Sequence, residues 1–130
     1  MLDDFSGADD VVAAMMDRLD ETVERHLDRD RAALRLEILA EAARNPRIAA
    51  KLHSADAVAR NRLIQALSGR LSSLGPREVA DRVEAIAAIF QGLIVRAVHN
   101  PDLDRDAFGR TAHLVLRELL TNDTTAAPQR

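Results

Sequence analysis

Cysteine, tryptophan and tyrosine are absent from this 130-residue chain, and phenylalanine occurs three times. Without cysteine there can be no disulfide framework, thiolate zinc site, iron–sulfur cluster or thiol catalysis. The shortage of aromatics removes the stacking platforms on which single-stranded nucleic acids are held. Lysine is almost missing as well, with Lys51 alone among many arginines, and the formal net charge is −3. That balance opposes a general electrostatic grip on phosphate backbones, which needs clustered positive charge. The start of the chain is acidic, at Asp3, Asp4, Asp9 and Asp10, which excludes a basic N-terminal arm and does not fit a secretory signal.

Glycines are scattered, so neither a phosphate-cradling loop nor a dinucleotide fingerprint forms, and no nucleophile elbow is present. The residues three places before the four histidines are Val23, Ala50, Arg96 and Arg110, which rules out the Glu-x-x-His pairs of a di-iron bundle. No metal or cofactor is expected, and no catalytic residue can be named. The longest mostly apolar run, Ala85 to Val95, is well short of the ~20 residues of a membrane span. A single cytoplasmic domain is the expectation from length and composition.

What the chain does contain is helical periodicity. No segment alternates with period two, and five helices can be read from the spacing. The first runs from about Ala8 to Leu27, with Ser6 as its cap and a stripe of Val12, Met16, Leu19, Val23 and Leu27. The second covers about Arg31 to Arg44 and is stopped by Asn45-Pro46. A third starts at Pro46, drifts in register toward Leu74, and invites a break near Ser68-Gly69. Gly75-Pro76 opens the fourth, and the fifth follows the turn Pro101-Asp102-Leu103-Asp104. After Leu120 the tail is polar and aperiodic, so residues 121–130 are expected to fray. Short connections make successive helices antiparallel neighbours, and the fold class is an all-α bundle of about five helices.

The fourth helix is the most unusual. Between Ala85 and Val95 only Phe90, Gln91 and Gly92 are not aliphatic, so the helix lacks a fully polar side and demands cover from several directions. The expectation is a helix that faces its own core on one side and a second protein on the other. Val83 and Ile94, continued on the fifth helix by Phe108, Ala112, Val115, Leu116 and Leu119, form the expected dimer stripe.

The string Leu36-Glu37-Ile38-Leu39-Ala40-Glu41-Ala42-Ala43-Arg44-Asn45-Pro46, with Phe90-Gln91-Gly92-Leu93 and Asn100-Pro101-Asp102-Leu103-Asp104, resembles the C-terminal regulatory domain of TetR/AcrR-type transcriptional regulators, in their BetI-like branch. The likeness runs from about Ala8 to Leu120. It implies an effector-binding bundle over residues 1–120 whose last two helices pair with those of a second subunit as a four-helix dimer interface. Such regulators begin with a helix-turn-helix domain of roughly 45 to 50 residues. No recognition helix of that kind is visible here, so the chain is expected not to bind DNA alone, whether as a fragment or as a natural form without a DNA reader.

Several residues are candidates for an effector site. Gln91 places an uncharged hydrogen-bonding group in an apolar helix, at a free-energy cost unless it finds a partner. A structural bond to a neighbouring helix or to a dimer mate is its alternative role. Gly92 beside it would allow close helix approach. Arg35 could clamp a carboxylate or phosphate, or extend outward to an acidic neighbour. Glu41, one turn from Glu37, could receive a cation, although Arg44 lies within reach of both. Met16, Leu19, Ile38 and Phe90 would line an adaptable apolar pocket, or fill the core. A closed cavity with Gln91 pointing inward favours a sensor of a small apolar effector; a solid core favours a stand-alone interaction protein that heterodimerises with related regulators.

Overall fold

A computed structural model describes residues 11–124, which form six helices. α1 covers residues 11–17 and α2 Leu19–Leu27. These are followed by α3 (Arg29–Ala42), α4 (Pro46–Arg70), α5 (Pro76–His99) and α6 (Arg105–Thr121). The expected first helix is thus divided by a turn at Arg18, whose ψ of 4° leaves the α region. Ser6, Asp9 and Asp10, expected to cap and open it, lie outside the described residues, as does the tail from residue 125.

Local chemistry fixes most boundaries. Leu19, Val23 and Leu27 are spaced by four and all buried, while Asp20 and Glu21 open α2 and Arg25 and His26 close it, in accord with the helix dipole. α3 starts and stops two residues earlier than the spacing indicates. At its C-terminal end the amides of Arg44 and Asn45 both donate to the Glu41 carbonyl, and the chain turns there. Asn45 caps α4, its side-chain oxygen accepting from the amides of Arg47 at 3.0 Å and Ile48 at 3.4 Å, with Pro46 in the first turn. The break expected at Ser68-Gly69 does not occur: α4 continues through Arg70, and Leu71 and Leu74 are buried in the connection that follows. Asp104 caps α6 by accepting from the Ala107 amide at 3.1 Å.

α5 is the central element, packed by α2, α3, α4 and α6. Its residues Val79, Val83, Ile86, Leu93, Ile94 and Ala97 are buried, so this one chain supplies most of the cover that the apolar run demands. Around it Leu67, Leu71, Leu116 and Leu120 are fully enclosed, and no polar or charged residue is buried among those described. The core is aliphatic.

One polar feature fastens the end of the bundle. The Arg82 guanidinium, on α5, donates to the carbonyls of Leu119 at 3.2 Å, Thr124 at 2.9 Å and Asn122, and Ser73 Oγ donates to the Asp123 carbonyl at 2.8 Å. Leu119 lies in the last turn of α6, whose carbonyls a helix end leaves unsatisfied, and Asn122 is its C-cap, so a cation is well placed there.

Candidate functional site

Two turns of helix bring four basic groups to one cleft. Arg25 and His26 close α2, and Arg31 and Arg35, four residues apart, share a face of α3. With Ala32 of α3 and Ile94 of α5 they line a cleft of about 180 Å³. Arg31 is tied to Asp28 at 3.5 Å. Arg25 and Arg35 have no ion-pair partner among the described residues.

His26 is half-buried at the inner edge of this cleft. Its Nδ1 donates to the Thr22 carbonyl at 2.7 Å, and its ring lies 4.6 Å from that of Phe90. Desolvation lowers its pKa from the ordinary 6.5, and the Arg35 and Arg25 charges lower it further against the opposing effect of the Thr22 bond. The imidazole is therefore neutral at pH 7, with Nδ1 protonated toward Thr22 and Nε2 left as an acceptor.

A larger groove, about 790 Å³, runs between α2 and the start of α6. Asp20, Glu24 and Asp28 line it together with Arg105 and Arg110, over an apolar floor of Val23, Leu27 and Gly109. His113 on α6 donates to the Asp20 carboxylate across it. Both signs of charge face this groove, which Arg25 and Arg31 also border, and Arg31 is paired there with Asp28.

The residues expected to hold an effector are not gathered in one place. Leu19 is buried in the core, and Met16 and Phe90 pack against it. Ile38 and Gln91 are exposed, so a closed cavity with Gln91 pointing inward is not formed within the chain. Glu41 is exposed and ion-paired with Arg44 at 2.9 Å, the surface role weighed for it from the spacing. Of the set, Arg35 lines the cleft and Phe90 reaches it through His26. His26 and Arg25 were missed; the available signal was the Arg31/Arg35 pair at helical spacing next to small Ala32.

The expected dimer stripe is redistributed as well. Val83, Ile94, Ala112 and Leu116 face the chain's own core, and Phe108 and Leu119 are partly buried against it. The reason is that α5 and α6 are covered by α2, α3 and α4 as well as by each other. Val115 is exposed, at 47%, together with its neighbour Leu114 at 64% and with Val95 on α5 at 46%. Gln91 and Ala88 continue the outer side of α5 one and two turns before Val95. A Cβ at Gly92 would meet nothing within 4 Å, so the close helix approach expected there does not occur inside the chain.

The described residues thus form a six-helix, all-α domain with an aliphatic core and a basic cleft between three helices. The family described as Tetracyclin repressor-like, C-terminal domain, matches residues 6–122, and the chain belongs to it. The family is non-catalytic, and the chain is not an enzyme; the match does not select the BetI-like branch. No curated protein and no solved structure matches the chain. No helix among the described residues is long and apolar enough to cross a membrane.

Proposed function

We propose that this chain is the effector-responsive, dimer-forming domain of a TetR-like transcriptional regulator in the cytoplasm, and that these 130 residues do not bind DNA alone. The observation that carries the reading is the outward face of the last two helices, where Val95, Leu114 and Val115 are exposed on elements whose other sides are already packed. Exposed apolar side chains of this kind offer a surface for association; Leu34, Ile38 and Leu39 on α3 and Val58 on α4 are exposed as well, and we assign the contact between copies to the α5 and α6 patch. A second copy of the chain presents the same patch, which is the condition for an isologous two-fold contact. The family membership supports the same occupant. Val115 is retained from the expected stripe, Leu114 and Val95 join it, and the four residues committed to the core leave it.

Sedimentation velocity with interference optics tests the proposal, since a chain without Trp or Tyr absorbs little at 280 nm. The expected result is a dimer at micromolar concentration and no retardation of operator DNA. A monomer at that concentration, or specific retardation by the isolated chain, overturns it.

The placement of Leu19, Met16 and Phe90 in or against the core, with Gln91 and Ile38 exposed, favours a second reading, in which the same face pairs with related regulators and no ligand is sensed. That reading predicts dimers whose stability is indifferent to small molecules.

A further inference from the structure

We propose that the cleft between α2, α3 and α5 binds a small monocarboxylate with a compact apolar body, the carboxylate held by Arg25 and Arg35 and the body resting on Ala32 and Ile94. This names the ligand class of the proposed regulatory domain, and it rests on that reading for its regulatory meaning alone. The site itself stands on the arrangement of its side chains.

Three observations converge on this ligand class. Arg25 and Arg35 face one cleft and have no ion pair among the described residues, although Arg25 also borders the larger groove, whereas Arg31 is already tied to Asp28. Planar guanidinium forks match a carboxylate in paired hydrogen bonds. Beneath the cations the cleft is apolar, at Ala32 and Ile94, so part of the ligand must be apolar too. A phosphate would turn oxygens toward that floor, where no donor replaces the water it loses. Size sets the last limit: about 180 Å³ equals the liquid volume of roughly six waters, below the 300 to 1,000 Å³ typical of drug-sized ligands.

His26 supplies an independent signature. Its Nε2 has no hydrogen-bond partner among the described residues and is an acceptor in the neutral ring, so a carboxylate beside it is accommodated best when the ring takes up a proton. Binding therefore raises the pKa of His26, against the lowering exerted by burial and by Arg35 and Arg25.

The test uses the full chain with benzoate and hexanoate as probes, and with inorganic phosphate and benzyl alcohol as comparisons. Calorimetric titration gives affinity, and the imidazole carbon–proton NMR signals of His26 give its pKa. Benzoate or hexanoate is expected to bind at least about tenfold more tightly than either comparison, equivalent to about 1.4 kcal/mol. The pKa of His26 should rise on binding. Arg35→Gln and Arg25→Gln should each weaken binding about tenfold or more, with unchanged far-UV circular dichroism. Equal binding of phosphate would show a simple anion patch, and equal binding of benzyl alcohol would show an apolar crevice; either overturns the proposal, as does the absence of binding by both carboxylates. Failure here leaves the dimer measured by sedimentation intact, and a monomeric chain that still binds benzoate would remove the regulatory reading while keeping the site.

Discussion

The rings of His26 and Phe90 lie 4.6 Å apart and tilted by 42°, joining the last turn of α2 to the middle of α5. Because this contact half-buries the imidazole and lowers its pKa, the ring makes folding sensitive to pH. Above the ordinary value of 6.5 it is neutral in both folded and unfolded chains. As the pH falls below 6.5 the unfolded chain takes up the proton first, so stability declines until the lower folded pKa is reached and then stops declining. The groups facing His26 are the Thr22 carbonyl, the Phe90 ring and the Arg25 and Arg35 cations. His26→Phe keeps a ring beside Phe90 and cannot titrate. Urea denaturation at a series of pH values should therefore show a shallower loss below 6.5 in the variant than in the wild type; parallel curves would remove His26 as the source.

Leu114 and Leu116 are two residues apart and should respond oppositely to the same substitution. Leu114 is 64% exposed in the single chain, so Leu114→Glu is expected to preserve helicity and to turn the dimer into a monomer in sedimentation. Leu116 is 0% exposed, and Leu116→Glu would bury a charge in an aliphatic core. That change is expected to cost about 4 kcal/mol or more and to appear as lost circular dichroism rather than as a clean dimer-to-monomer shift.

Arg82 fastens the end of α6 through three carbonyls, those of Leu119, Asn122 and Thr124. Hydrogen bonds from a charged donor contribute about 1.5 to 3 kcal/mol each when well buried, and less at a partly exposed site such as this. Arg82→Ala should destabilise the chain by about 1 to 2 kcal/mol in equilibrium urea unfolding. Arg82→Lys should recover only part of that loss, because a compact ammonium lacks the two separate nitrogens with which the guanidinium reaches Leu119 and Asn122 on one side and Thr124 on the other.

Gly109 lies inside α6 with ordinary space above it. A Cβ there would sit 3.7 Å from Val23 Cγ1 and 3.8 Å from Leu27 Cδ1, both normal contact distances. Glycine costs a helix interior about 0.8 to 1 kcal/mol relative to alanine. Gly109→Ala is expected to raise the melting temperature measured by circular dichroism; a fall would mean that α2 and α6 pack more closely than these distances allow.

The sequence carried the boundaries better than it carried the neighbours. Asn45-Pro46, Gly75-Pro76 and the Asn100-Pro101 turn are local signals, and the helices begin and end beside them. The breadth of apolar surface on α5 was legible too, but periodicity reports how much of a helix wants cover and is silent about which element provides it. Much of what looked like demand for a second subunit is met by α2, α3, α4 and α6. Gln91, conspicuous among aliphatics, stands on the outer side of the helix. Arg82 was invisible for a related reason: its partners lie 37 to 42 residues away, and an arginine on a helix face has no sequence mark that distinguishes a clasp from a solvated charge. The cleft was half legible, since Arg35 could be singled out from its neighbours on α3 while the approach of α2 could not.

Ile94 and Val95 are consecutive residues of α5, the first forming the floor of the basic cleft and the second belonging to the exposed outer face. One step along a helix advances about 1.5 Å and turns about 100°. A molecule that presses on Ile94 therefore acts on the same rigid rod that presents Val95, with no intervening relay of side chains. If the proposed ligand and the proposed second copy both bind, any tilt or rotation of α5 on occupancy would reach the partner directly, and stimulus and response would be separated by the thickness of one helix.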